Sequence, residues 1–266
     1  MRCMWVTLSV VMVSSPVVAQ LAVPNEAGVS FAHVHLSVAD IELHKRLWTD
    51  LLDGQLVEKA GYAAVRIPGA LIFFTDRAPT APTVGTSVNH VGFKVRDLGA
   101  VLAEWQSNGY EVDTEFVGGE GLRQAYITMP NGTRVELTGD PELTTNTEMH
   151  HVHFYAPRYR EVWAWYQEIF GGTARARGTI ETTVDLPGTN LSFSASEGEV
   201  AATQGAAVDH IGFEVENIEA FAGFLESKGV QFQVEPFFVE SLGIWVGFFI
   251  DPAGTRVEVS QGLDRY

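Results

Sequence analysis

The chain has 266 residues, enough for two domains of ordinary size, and 46% hydrophobic with 19% charged residues is the balance of a soluble globular protein. A formal charge of −16 argues against nucleic acid and anionic membrane surfaces as partners, because both select basic patches. The single cysteine, Cys3, excludes a disulfide framework.

In chain order, the first nineteen residues read as a secretory leader. Arg2 gives a positive start, and Met4 to Val13 is an apolar run too short to span a bilayer. Ser14-Ser15-Pro16 breaks the run, and Val17-Val18-Ala19 offers the small residues that a signal peptidase reads. Residues 1–19 are therefore expected to be cut off near Ala19, together with Cys3. The mature chain is expected in the periplasm or outside the cell.

Beyond the leader, one pattern is written four times. From Phe31 to Val38 apolar and polar residues alternate, as in a half-buried strand. Asp40 can cap a helix whose apolar face is Ile41, Leu47, Trp48, Leu51 and Leu52, with Gly54 as its stop. Residues 55–59, 62–67 and 70–75 read as three strands, punctuated by Gly61 and Pro68-Gly69. A second copy starts at Val88, with a helix at 98–107 stopped by Asn108-Gly109 and strands running to Thr138. A third starts at Met149, with a helix at 160–170 stopped by Gly171-Gly172. The fourth starts at Val208, and its helix stops at Lys228-Gly229. Trp48, Trp163 and Trp165 fall at core spacing on their helices.

Repetition of this kind makes each copy one supersecondary unit, here βαβββ. The polar stretch from Gly139 to Glu148, with Pro141, reads as the boundary between two domains, 28–140 and 148–262, with 141–147 as linker. Residues 78–87 and 197–207 read as links inside each domain. The fold class is α+β, with four units paired into two half-barrels.

Each copy opens on a histidine at the same place: His33, His90, His151 and His210. The even copies close on matched strings, Pro130-Asn131-Gly132-Thr133-Arg134-Val135-Glu136 and Pro252-Ala253-Gly254-Thr255-Arg256-Val257-Glu258. Four histidines and two glutamates in register make two candidate metal sites. Taken singly, each histidine could equally satisfy a backbone group on an apolar strand.

This layout, with strings such as Trp165-Tyr166-Gln167-Glu168-Ile169-Phe170-Gly171-Gly172, resembles the vicinal oxygen chelate superfamily. That group includes glyoxalase I, methylmalonyl-CoA epimerase, fosfomycin-resistance enzymes, extradiol dioxygenases and bleomycin-binding proteins. The resemblance implies cup-shaped half-barrels with a metal inside, and triads His33, His90, Glu136 and His151, His210, Glu258. Two imidazoles and a carboxylate leave positions open for substrate and suit Fe, Zn or Mn. Glyoxalase-type sites add a fourth ligand from the odd units. Aligning 70–75 and 190–195 on the glutamate strands puts Phe73 and Phe193 there, neither of which can ligate.

His35 and His153 come two residues after the first-strand histidines, so alternation turns them into the same cups. Each reads as a general acid or base, or as a partner that orients the ligands; a slipped register would make them ligands themselves. His44 and His150 read as surface or linker histidines. Arg134 and Arg256 could clamp a substrate carboxylate or sit in solvent. Tyr126, Ser192 and Ser194 are further candidates for the cup lining.

The expected function is an exported metal-dependent enzyme in which Lewis-acid chelation of a small oxygenated substrate assists proton abstraction, as in lyases and isomerases. An Fe(II) extradiol-type dioxygenase is the first alternative, although no histidine stands shortly before Glu136 or Glu258 as that resemblance requires. A small-molecule binding protein without catalysis is the second. No nucleic acid or membrane partner is expected.

Overall fold

In the computed structural model residues 21–266 are described, and the leader assigned to 1–19 lies outside them. The first unit is β1 (Val29–Val38), α1 (Ile41–Arg46) continued by a π-helical turn (Leu47–Leu51), β2 (Gln55–Lys59), β3 (Tyr62–Ile67) and β4 (Ala70–Asp76). The second is β5 (Val88–Val95), α2 (Leu98–Ser107), β6 (Val112–Val117), β7 (Arg123–Thr128) and β8 (Arg134–Gly139). The third is β9 (Thr147–Ala156), α3 (Tyr159–Phe170), β10 (Thr173–Ala174), β11 (Thr183–Leu186) and β12 (Thr189–Ala195). The fourth is β13 (Val208–Val215), α4 (Ile218–Ser227), β14 (Phe232–Val239), β15 (Ile244–Ile250) and β16 (Arg256–Gln261). Among the described residues no helix is long and apolar enough to cross a membrane.

Local chemistry accounts for the helix boundaries. Asp40, Asp97 and Asn217 each accept from the backbone N–H three residues on, satisfying a donor that the first turn leaves free. Gly171 ends α3 in the left-handed region. In the first unit the left-handed residue is Asp53, not Gly54. Gly54 is instead a point of close packing, since a Cβ there would lie 2.2 Å from Val65 Cγ1.

The strands form two eight-stranded sheets, and their order corrects the expected pairing of units within 28–140 and within 148–262. One sheet runs β14-β15-β16-β13-β1-β4-β3-β2, joining the first unit to the fourth. The other runs β10-β11-β12-β9-β5-β8-β7-β6, joining the second to the third. Residues 141–147, expected as the linker, lie within one half-barrel. Gly139 ends β8 beside Val95 of β5, and Thr147 starts β9 on the other side of the same residue. The segments at 78–87 and 197–207, expected as internal links, are the ones that cross between sheets. They run side by side, with Ser87 N–H donating to Ala201 O at 3.0 Å and Ala207 N–H to Ala81 O at 2.9 Å.

Helices tie consecutive units where strands do not. The Trp48 ring of the first unit packs edge-on against Phe93 of β5 at 5.4 Å. Phe170 of α3 stacks on Phe213 of β13 at 4.0 Å. One continuous apolar core therefore holds residues from both sheets and all four helices. The opposite face of each sheet forms a cup.

This topology makes each half of the chain incomplete. A fragment 21–140 exposes the seam edges of both β1 and β5, whose partners β13 and β9 lie in the other half. Expressed alone, it is expected to show no cooperative thermal transition by circular dichroism, and to regain one when mixed with fragment 141–266. Cooperative unfolding of the isolated fragment would overturn the strand order.

Candidate metal centres

The site begins at the antiparallel seams. Along β1 and β13, His33 stands opposite Gly212 and His35 opposite His210. Along β5 and β9, Gly92 stands opposite His151 and His90 opposite His153. A Cβ on Gly212 would lie 2.0 to 2.5 Å from three atoms of the His33 ring. On Gly92 it would lie 2.1 to 2.8 Å from the His151 ring. The glycine two residues beyond each even-unit histidine is thus the floor on which an odd-unit imidazole rests.

The seams regroup the two expected triads. His33 and His90 open into different cups. In the first cup His33 meets His210 and Glu258: His210 Nε2 is 3.0 Å and His33 Nε2 3.6 Å from Glu258 Oε2. In the second, His151 meets His90 and Glu136. The two Nε2 atoms are 3.2 Å apart, His90 Nε2 is 3.3 Å from Glu136 Oε2, and His151 Nε2 is 3.7 Å from Oε1. All six residues are buried.

Supporting groups fix the ring orientations. Asp209 takes the Nδ1–H of His210 at 2.6 Å, which turns Nε2 toward Glu258. Asp209 is itself held by Arg77, Arg256 and the Gly205 N–H. Asn89 Oδ1 plays the same part for His90 at 2.9 Å. Gln124 and Tyr126 donate to the two oxygens of Glu136, each at 2.8 Å. Sequence reasoning misses Gln124 and Asp209. For Asp209 a signal exists, since both even-unit histidines directly follow an acceptor, in Asn89-His90 and Asp209-His210.

His35 and His153 project into the cups, as strand alternation requires. His35 Nε2 lies 2.8 Å from Thr75 Oγ1, and His153 Nε2 lies 2.9 Å from Ser194 Oγ. One ligand atom from each of His33, His35 and His210 falls within 4.8 Å of the others, and the same is true of His90, His151 and His153. Burial holds His33, His35, His90, His151 and His153 below the usual imidazole value. Burial also acts on His210, but Asp209 and Glu258 outweigh it and raise its pKa. Glu258 and Glu136 are raised by burial and lowered more strongly by their histidine partners, so both are carboxylates.

Three further expectations need correction. Phe73 does line the first cup, 5.3 Å from the His33 ring, but Phe193 faces the core and stacks on Phe154 at 4.8 Å. The parallel register pairs His35 with Phe73 and His153 with Ser192, so Ser192 holds the equivalent place. His44 is no surface residue; it is buried, which pushes its pKa down to about 4. His150 sits in a β-bulge, the register stepping from Met149 to His151, and a bulge re-aims its side chain. Its ring contacts His151, with the Nδ1 atoms 3.2 Å apart. Of the two candidate clamps, Arg256 is committed to Asp209 and lies over Phe248 at 4.1 Å, while Arg134 lies over Tyr126 at 5.0 Å.

The donor set fits a divalent ion in both cups. The sharpest sign is His33, whose Nδ1 and Nε2 are both buried without a hydrogen-bond partner. An unsatisfied buried polar group of this kind costs about 1–3 kcal/mol, which a bound ion would offset. In the second cup both imidazoles are held neutral beside a paired carboxylate, the states that metal binding needs, whereas in the first an ion would have to displace the proton that Asp209 and Glu258 favour on His210.

Gly212→Ala should drive the His33 ring off its floor. The expected cost is about 1–3 kcal/mol of stability, with loss of metal from the first cup only, read by thermal melts and elemental analysis. Gly92→Ala should do the same in the second cup. Unchanged metal content in both variants would separate the glycines from the sites.

Comparison with known proteins agrees with this geometry. The profile of the Glyoxalase/Bleomycin resistance protein/Dioxygenase superfamily matches twice, over residues 30–137 and 148–259. No curated protein matches by sequence. Among solved structures, glyoxalase I from Zea mays superposes with a TM-score of 0.68 at 15% identity, covering 89% of this chain and 94% of that one. A protein from Bacillus subtilis subsp. subtilis str. 168, described as a candidate dioxygenase, superposes with a TM-score of 0.66 at 12% identity, covering 91% and 86%. The cppA protein from Streptococcus pneumoniae TIGR4 gives 0.51 at 13% identity, covering 86% and 96%. At such identities the structural likeness speaks for the fold alone, and it is the twofold profile match that shows the family: the chain belongs to the glyoxalase/bleomycin resistance protein/dioxygenase superfamily.

Proposed function

We propose that the chain is an exported, metal-dependent enzyme that removes a proton from a small oxygenated substrate, as lyases and isomerases do. The observation that carries this reading is the buried, unpartnered His33 converging with His210 on Glu258. These three residues would hold an Fe, Zn or Mn ion in the first cup, and His151, His90 and Glu136 would hold one in the second. A bound ion of this kind supplies Lewis acidity, drawing electron density from a substrate oxygen so that an adjacent proton is lost more easily.

The chain's own contribution is proton transfer and exclusion of water. His35 is kept neutral by burial and lies 4.4 Å from the His210 ring, beside the metal position. In the tautomer that donates Nε2–H to Thr75, Nδ1 is free to accept a substrate proton. His153 and Ser194 repeat the arrangement in the second cup. Phe73 and Phe248 flank the first-cup histidines and dry the floor, which strengthens every charge interaction there.

A second reading, Fe(II)-dependent ring cleavage with dioxygen, draws support from one observation. Phe73 and Ser192 stand where a fourth protein ligand would come from, so each site is a three-residue face with open positions.

The test is elemental analysis together with aerobic and anaerobic assays on 2-oxo, hydroxy and catecholic compounds. Glu258→Gln is expected to lose metal from the first cup. His35→Gln should keep metal and lower turnover by about 100-fold or more, the range for a lost acid–base group. Loss of metal in His35→Gln would make His35 a ligand. Oxygen-dependent turnover of catechols would favour the second reading. Unchanged metal and activity in both variants would leave a small-molecule binder as the better account.

Export is part of the same proposal. Mass spectrometry of the natively produced protein is expected to find an N-terminus near Gln20, and an intact Met1 would refute cleavage.

A further inference from the structure

The two cups share a floor but not a lining. The strand registers align them position by position. Where the first cup has Phe73, Leu71 and Ala64, the second has Ser192, Asn190 and Thr183. Across the floor, Phe248 and Val246 of the first cup become Tyr126 and Gln124 of the second. The bulged residue beside the odd-unit ligand is Ala32 in one and His150 in the other. Each of these six differences runs from apolar to polar, while the next position along is charged in both cups, Arg66 in the first and Asp185 in the second.

Among the described residues the second cup also holds a buried cation, where the first has the half-buried Arg66, which donates to the backbone oxygen of Tyr266. Arg177 stands between β10 and β11, and only 7% of it is exposed. Its Nε donates to Ser192 Oγ at 3.2 Å, and its Nη1 donates to Glu120 Oε2 at 2.9 Å. Glu120 is shared, because His150 Nε2 lies 3.4 Å from the same oxygen. Among the described residues Nη2 makes no hydrogen bond, which leaves its two N–H groups for an incoming anion. Arg177 lowers the pKa of both His90 and His151, so its charge is felt at the triad. A cavity of about 520 Å³ is lined by Arg177, Arg175, Lys94, His150 and Asn190, together with the carboxylates Glu120, Glu148 and Asp185. Lys94 and Arg175 have carboxylates of their own, Asp140 and Asp185.

We propose that the two cups take different molecules: the second binds a small hydroxy- or oxo-carboxylate whose carboxylate is recognised by Arg177, and the first binds an apolar oxygenated compound. The inference rests on reading the cups as small-molecule sites, but carboxylate recognition by a guanidinium does not need the metal. An arginine fork is suited to this because it offers parallel donors and a charge that does not titrate away. Glu120 holds the guanidinium in place and at the same time competes with the incoming anion.

The test is calorimetric binding of lactate and of its uncharged analogue lactamide, with fluorescence titration of 2-naphthol as the apolar probe. The protein as purified should prefer lactate to lactamide by tenfold or more, and lactate should not displace 2-naphthol. Arg177→Gln should abolish the preference and leave 2-naphthol binding unchanged. Phe73→Ser should weaken 2-naphthol several-fold and leave lactate alone. Glu120→Gln separates recognition from bracing. It should keep or widen the preference if Arg177 is the anion receptor, and abolish it if Arg177 is only a strut. Should Arg177→Gln fail to fold, Arg177→Lys is expected to reduce the preference several-fold, since an ammonium lacks the planar fork. Equal binding of lactate and lactamide, a preference that survives loss of Arg177, or competition between lactate and 2-naphthol would each overturn the proposal. Metal content, measured on the same samples, reports on the enzymatic reading separately.

Discussion

Everything in this protein hangs on two antiparallel seams, β1 against β13 and β5 against β9. Each brings a histidine of one repeat over a glycine of another, and any larger residue in the glycine's place would collide with the ring. The seam also supplies two of the three candidate ligands in each cup, since its two strands each deliver one imidazole to the same floor. The parallel neighbours β16 and β8 then add the carboxylate beside Gly212 and Gly92. Stability and chemistry are therefore not separable here. The same backbone hydrogen bonds that close the sheet set the spacing of the donors.

Much of this is legible in the amino-acid pattern. The helix of the second unit falls where its apolar spacing puts it, and all six ligand candidates do reach cup floors. The pairing of units is not legible, for a definite reason. Both even units carry His-x-Gly and both odd units carry His-x-His, so joining the first unit to the second satisfies the seam as well as joining it to the fourth. Loop lengths do not break the tie. A seven-residue turn rounds β5 inside one half-barrel, while segments only slightly longer cross between sheets.

Other differences trace to single-residue slips. Aligning 190–195 without the strand register puts Phe193 one pleat off, and one step exchanges cup for core. His150 reads as a linker residue because a bulge cannot be seen in an alternating pattern; the insertion that re-aims it is written in hydrogen bonds, not in letters. Arg177 has no repeat-mate to mark it. It stands where the third unit replaces the tight β2–β3 hairpin of the first with a wide loop.

The nested strand order has a consequence for how the chain assembles. The contacts that build the second cup are local by comparison, with His90 and His151 only 61 residues apart. Those that finish the first cup span almost the whole molecule, as when the Tyr266 hydroxyl reaches the Tyr62 carbonyl across 204 residues. Closing a long loop costs more chain entropy before any contact rewards it. The inner pair of repeats can therefore condense while the outer pair waits with the seam edge of β1 unpaired. An exposed first strand, apolar and carrying two histidines, must be kept from other chains until β13 arrives. The inner half-barrel is thus a template, and the outer one a clasp that is fastened last.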